Sequence, residues 1–425
     1  MVRCRLNANP VPRRGHRSAS NLFNGNSYMH FDPRQLIEDG FIVLREVVPP
    51  GWLGPLRDSF ERMVDRQREI WARDRNPDDP PGGEWETGHQ PRLQFETLVD
   101  GDTANTMAFC LHENTMGVSR RIMGSEAAGN TGFMFMCNPV TDRGPAAWHR
   151  DIHPIDQAPL RGLQDDLLQN APGYLQWNIP LYDDNVLWVV PKSHRRGNTD
   201  VENRSLKQNP REPLPGGVQV ELNAGDGVVY TNTILHWGSN YSAMTRRTIH
   251  LGYRSYGGPV FPYVNRTFRD LGFIECLPAD LQAVFRDIRR RYDEESDRIE
   301  SVFRAAIDGD EDAFLEGVAA LHPGEESRIV CAILLSKIVY KMRFATHPVR
   351  THYGSDISHD EDLKPRFTDS ELDTLWRRFE PLDEQIQSDA LQYVPGFQSD
   401  PMHYYFEEMP SGLNMESFMA GWRNN

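Results

Sequence analysis

Trp148-His149-Arg150-Asp151 follows residues 133–137, a run that reads as a strand, and in extended backbone His149 and Asp151 point to one face. A further histidine, His236, follows a second strand-like run, residues 227–235. Two imidazoles and one carboxylate on one face of a small β-barrel can hold Fe(II) on three coordination positions. Three positions then stay open for a cosubstrate and O2. Eleven positions beyond His236 stands Arg247, opening the run 247–253. Its guanidinium suits a bidentate pair with the far carboxylate of a dicarboxylate cosubstrate, whose 2-oxo acid end would chelate the iron. Strand alternation puts only one of Arg246 and Arg247 inside, and the spacing from His236 selects Arg247, leaving Arg246 for the surface. Asn178, on the central strand-like run 174–181, is the next candidate for holding the cosubstrate.

The chain around these residues has 425 amino acids, 39% hydrophobic and 25% charged, an ordinary globular mixture with ample core. Its net charge of -15 argues against nucleic acid as a partner, because phosphate contact needs a basic face. No apolar stretch approaches the roughly 20 residues of a membrane span, and the mean hydropathy is -0.60. The five cysteines are widely spaced with no CxxC pair, which reads as free thiols in a reducing, cytoplasmic compartment rather than a disulfide framework or zinc ribbon.

Residues 1–31 carry Arg3, Arg5, Arg13, Arg14 and Arg17 and no acidic residue, and read as a flexible basic leader. Asp32, Pro33 and Gly40 bracket a short helix, residues 41–45 a strand, and the apolar spacing from Leu53 to Trp71 a long helix. Between 133 and 253 short apolar runs alternate with Pro, Gly, Asn and Asp, the texture of an antiparallel sandwich or barrel. The connections 152–172 and 195–215 read as long polar loops, the first a lid that orders over the pocket. Beyond about residue 278 helical spacing takes over: residues 281–307, then 326–344, then a helix opened by the capping box Thr368-Asp369-Ser370-Glu371.

Taken together the motifs resemble the phytanoyl-CoA dioxygenase family of Fe(II)/2-oxoglutarate oxygenases. The matching segments run in order: LIEDGFIVLR at 36–45, Asn138-Pro139 through Trp148-His149-Arg150-Asp151, residues 177–184, and Val190-Pro191-Lys192-Ser193-His194, where glycine is usual at Lys192. Ala224-Gly225-Asp226, His236 and Arg247 complete the series. The resemblance covers roughly residues 31–253. It implies a mainly β fold with α elements: a double-stranded β-helix (jelly-roll, cupin-like) core flanked by helices, here with a helical C-terminal extension. The resulting division is a leader (1–31), a dioxygenase domain (32–265) and the extension (266–425). It also implies Fe(II), 2-oxoglutarate and O2 as cofactor and cosubstrates, a small-molecule substrate, and His149, Asp151 and His236 as both metal ligands and catalytic residues. Related halogenases have a small residue in place of Asp151, so the carboxylate points to hydroxylation. Where the family often carries a cosubstrate-binding hydroxyl, this chain has Gly238, with Ser239 one further on.

Plainer roles fall to the neighbours. His153 reads as a loop histidine, His194 as a structural hydrogen-bonder, Trp177 as core, Cys137 as a buried small hydrophobe, and Trp148 and Trp237 as pocket walls. The C-terminal helices read as packing or capping elements, with a homodimer through them as one use. Two other functions fit less of the pattern: a 2-oxoglutarate-independent iron oxygenase, and a non-catalytic binding protein on a cupin-like barrel. A chain starting at Met29 keeps every element described above. Its melting temperature and turnover are expected to equal those of the full chain; a large loss of either would show that the leader packs on the fold.

Overall fold

The computed structural model describes residues 29–256, 264–265, 271–344, 356–357 and 359–423. Most of the basic leader, residues 1–28, lies outside them. Strands β1 (Phe41–Leu44), β2 (Arg92–Leu93), β3 (Gly129–Cys137), β4 (Tyr174–Pro180), β7 (Gly227–Tyr230) and β9 (Arg247–Arg254) form an antiparallel sheet in the order β1-β7-β4-β9-β3-β2. A smaller antiparallel sheet, β6-β5-β8, is built from β5 (Trp188–Val189), β6 (Val218–Gln219) and β8 (His236–Trp237). Isolated bridges Pro145↔Ser239 and His149↔His236 extend it on the far side of β8. The fold is therefore mixed α/β with antiparallel sheets.

The large sheet has two different faces because its residues alternate. Phe135, Trp177, Ile179, Ile249, Leu251 and Tyr253 are buried in the main core, together with Phe60 and Met63 of the helix Leu53–Asp74. The opposite face presents Met134, Gln176, Asn178, Tyr230, His250 and Gly252 to a cavity.

The first helix, Arg34–Asp39, ends at Gly40, whose φ of 87° favours glycine. A Cβ there would sit 2.5 Å from His194 Nδ1. His194 donates from Nε2 to Ile37 O at 2.9 Å, the structural role its turn position suggested. Burial pushes its pKa down to about 4, which keeps the ring neutral for that bond. Lys192, in the family's glycine position, takes φ 68°, the left-handed conformation that explains why glycine is usual there.

The two long loops expected between strands are not loops. Helix Leu160–Asn170 occupies much of the first and helix Asp200–Gln208 the second. The latter opens with a capping box, Thr199 and Glu202. The former packs its Leu163 side against the C-terminal helical core, and its Asp166 accepts hydrogen bonds from His322 Nε2 at 2.7 Å and Ser327 Oγ at 2.8 Å. A segment fixed in this way is not a free lid.

Beyond the sheets run the helices Ala279–Asp308, Glu311–Leu321, Arg328–Arg343, Asp369–Ile386 and Met415–Arg423. The capping box at Thr368 is present as the sequence indicates. Two small antiparallel ribbons accompany them: β10 (Val264–Asn265) with β11 (Asp356–Ile357), and β12 (Gln387–Gln392) with β13 (Met402–Tyr404). No described helix is long and apolar enough to cross a membrane.

The 30-residue helix Ala279–Asp308 joins two cores. Leu281, Phe285, Ile288 and Tyr292 belong to the core behind the large sheet, whereas Ile299, Val302 and Phe303 belong to the helical core. Between them Glu295, fully buried, accepts two hydrogen bonds from Arg254 Nη2 of β9, at 2.6 and 2.7 Å, and one from His359 Nε2 at 2.7 Å. Burial raises the pKa of Glu295, but the charge of Arg254 and the hydrogen bond from His359 outweigh it and hold the carboxyl below its ordinary range. Stability from this group is present above the unfolded-state pKa and is lost as pH falls through the lower folded-state value. Glu295→Ala, which strands a buried guanidinium, is expected to lower unfolding stability by about 3–5 kcal/mol. Chemical denaturation checks this, and a loss below about 1 kcal/mol would contradict the role given to the pair.

Candidate active site

The metal-ligand candidates come from two edges that face each other. His149 and His236 form a backbone bridge, with His149 N–H to His236 O at 2.8 Å and His236 N–H to His149 O at 2.9 Å. This sets both imidazoles side by side, ring centroids 4.5 Å apart. Asp151, two residues past His149, completes the group: one donor atom from each residue lies within 4.8 Å of the other two. His149 Nε2 is 3.4 Å from Asp151 Oδ1 and His236 Nε2 is 3.4 Å from Asp151 Oδ2.

The other nitrogen of each ring is committed elsewhere. His149 Nδ1 bonds Ala147 O at 2.8 Å and His236 Nδ1 bonds Ile234 O at 3.0 Å. Both Nδ1 atoms must carry the proton, which leaves each Nε2, facing Asp151, as the position that takes either a second proton or a metal ion. Burial works against charge on His149, but hydrogen bonding and the charge of Asp151 overcome it and raise its pKa. Burial likewise opposes the Asp151 carboxylate, yet the charge of His236 and bonds from both histidines hold it well below the usual carboxylate range. The donor set of two nitrogens and one oxygen, without thiolate, fits Fe(II).

Asp151 is held at both oxygens by side-chain amides. Gln176 Nε2, from β4, donates to Oδ2 at 2.8 Å, and Gln398 Nε2 donates to Oδ1 at 2.9 Å. Gln398 lies in the C-terminal extension, on a segment tied to the metal-site loop at several points. Arg150 N–H donates to Gly396 O at 2.8 Å, and His153 Nδ1 bonds Gln398 O at 2.9 Å. His153 is a loop histidine, as expected, and also lines the cavity. Trp148 and Trp237 stack on each other with centroids 4.8 Å apart, behind the ligands rather than in the cavity wall. Trp177 and Cys137 are fully buried.

The cavity in front of the three ligands has a volume of about 470 Å³. The two adjacent arginines have the opposite phase from the one expected. Arg247 does not line the cavity: it forms a bidentate pair with Glu61 at 2.7 and 3.1 Å and bonds Asn138 Oδ1 at 3.0 Å. Arg246 does line it, and is 7% exposed. Its Nε bonds Asp184 Oδ2 at 3.1 Å, while its buried Nη1 has no partner within the chain. The cause is the pairing of β9, which puts Ile249, Leu251 and Tyr253 into the core and Thr248, His250 and Gly252 on the other face, in phase with Arg246.

Asn178 lies in the cavity wall, its Oδ1 2.8 Å from His250 Nδ1. Burial pushes His250 down to about 4, so the neutral ring donates through Nδ1 and leaves Nε2 as an acceptor. Gly238 borders the cavity, whereas Ser239 turns away to bond Val186 O at 3.3 Å and does not replace the missing hydroxyl.

Fold and site together are those of an iron- and 2-oxoglutarate-dependent oxygenase class. The profile of the phytanoyl-CoA dioxygenase (PhyH) family matches residues 36–248, half of the chain, and the chain belongs to that family. A search of curated proteins gave no match. Among solved structures, the chain is similar to the non-haem α-ketoglutarate-dependent epimerase SnoN from nogalamycin biosynthesis, at 15% identity and TM-score 0.38, covering 53% of this chain and 80% of that one. AviO1 from Streptomyces viridochromogenes Tue57 is 19% identical with TM-score 0.38, over 54% and 96% of the two chains. HygX from Streptomyces hygroscopicus, with nickel and 2-oxoglutarate bound, is 13% identical with TM-score 0.37, over 53% and 88%.

Gln398→Ala removes one of the two amides orienting Asp151. Loss of such an outer partner is expected to weaken Co(II) binding about 10- to 100-fold, read by titration, with the metal-free melting temperature close to wild type. Unchanged affinity would show that Gln176 alone fixes the carboxylate.

Proposed function

We propose that this chain is an Fe(II)- and 2-oxoglutarate-dependent dioxygenase. It hydroxylates an unactivated C–H bond of a small molecule, one oxygen atom of O2 entering the product and the other the succinate formed, with CO2, from 2-oxoglutarate. One observation carries the reading: the facing donors of His149, Asp151 and His236 open to the same cavity as the unpartnered guanidinium nitrogen of Arg246. The two antiparallel sheets facing across that cavity support a double-stranded β-helix core. Residues 32–265 then form the catalytic unit, and the extension beyond it completes the wall around Asp151.

Iron held by His149, Asp151 and His236 would supply the redox chemistry with O2. The chain's own residues supply position and exclusion. Arg246, neutralised on one side by Asp184, offers its free edge to the distal carboxylate of 2-oxoglutarate. Asn178 and neutral His250 line the same cavity and present uncharged polar atoms beside it. Gln176 and Gln398 keep Asp151 from swinging away from the histidines, and the packed segment 152–170 closes one side against water.

The test is anaerobic loading with Fe(II), 2-oxoglutarate and a metabolite extract, followed by oxygen. Succinate release together with a product heavier by one oxygen atom is expected. Oxidation without succinate would favour a 2-oxoglutarate-independent oxygenase, and iron binding without turnover a binding protein. His149→Ala and His236→Ala are expected to lose turnover while remaining folded. Arg246→Ala is expected to weaken 2-oxoglutarate binding by about 2–5 kcal/mol, with Arg247→Ala affecting it little. The reverse order would overturn the assignment of Arg246.

A further inference from the structure

Gln157 is 1% exposed and lines the cavity, yet neither its amide nitrogen nor its carbonyl oxygen has a partner within the chain. A buried carboxamide with both ends unmet is costly, and such groups are rare in folded interiors unless a water or ligand meets them. The turn that carries it is fixed. Gln157 N–H donates to His153 O at 3.0 Å, and buried Asp156 is paired with Lys341 of the helix Arg328–Arg343. The amide is thus presented by a braced turn whose own charge is already balanced.

The turn begins at His153, two residues after Asp151, whose two oxygens are held by Gln176 and Gln398. Asp151 is the one carboxylate among the described cavity-lining residues, and the two arginines there are engaged, Arg246 with Asp184 and Arg92 with Gln90. A group seated on Gln157 meets one donor and one acceptor. A carboxylate would set an oxygen against the Gln157 carbonyl, an ammonium would leave the amide N–H unmet, and an alkyl group would leave both ends unmet.

We infer that Gln157 forms a substrate subsite for a neutral group that both donates and accepts a hydrogen bond, a hydroxyl or a carboxamide. The inference rests on the Fe(II)/2-oxoglutarate reading of the adjoining site.

The test uses the full chain loaded with Zn(II) and 2-oxoglutarate, and saturation-transfer NMR with three probes. Methyl α-glucoside represents the hydroxyl source, propionamide the carboxamide source, and hexanoate is the charged control. At least one neutral probe is expected to bind in preference to hexanoate, identifying which source the subsite takes. Gln157→Leu and Gln157→Met should each weaken that probe roughly 10- to 100-fold, as removal of a buried hydrogen-bonding partner does. Their melting temperatures without probe should be equal to or above wild type, since an unmet amide has been removed. Three results would overturn the inference: no neutral probe binding or hexanoate preferred, unchanged affinity in the variants, or clear destabilisation showing that the amide serves the fold. If wild-type protein fails to take up Zn(II) or 2-oxoglutarate, the reading of the site itself fails, and that is seen before any probe is added.

Discussion

The site depends on one carboxylate being held in place. Asp151 lies between two imidazoles whose Nε2 atoms both face it, and amides on opposite sides grip its two oxygens. Buried charge is tolerated only where it is paired and hydrogen-bonded. Here His149, His236, Gln176 and Gln398 meet that condition without closing the face turned to the cavity. The backbone bridge between His149 and His236 sets the spacing of the two ligands, and the bonds from their Nδ1 atoms to Ala147 O and Ile234 O set the ring orientations.

Gln398 explains why the helical extension is part of the working molecule rather than an appendage. The loop carrying it is clamped to the segment of Asp151 by backbone bonds, and that segment is clamped in turn to the helical core through Asp156 with Lys341 and Asp166 with His322. The long helix Ala279–Asp308 ties the same core to the back of the large sheet through Glu295 and Arg254. Two buried ion pairs and the Asp166–His322 hydrogen bond thus join the extension to the rest of the chain, each costly to break because a partner would be left unpaired.

The meeting of His149, Asp151 and His236 was legible because part of its signal is local: His-x-Asp in extended backbone, and a histidine after the apolar run 227–235. The phase of Arg246 was also written in the sequence, in apolar Ile249, Leu251 and Tyr253, which put His250 and Arg246 on the other face; spacing from His236 alone selected Arg247, which turns from the cavity to Glu61. The helices within 152–172 and 195–215 were hidden by polar composition, although Thr199 and Glu202 spell a capping box. Gln398 had no signal. It stands 247 residues from Asp151, and a lone glutamine in a turn carries no motif. Gln157 likewise shows its meaning only when burial and the absence of a partner are seen together.

The central claim, that His149, Asp151 and His236 hold one catalytic iron, is tested most directly by iron K-edge X-ray absorption on the anaerobic Fe(II)-loaded protein. The account predicts one iron per chain, bound by nitrogen and oxygen donors that include two imidazoles, with a changed spectrum when 2-oxoglutarate is added. A sulfur ligand, fewer than two imidazoles, or no stoichiometric iron would contradict it.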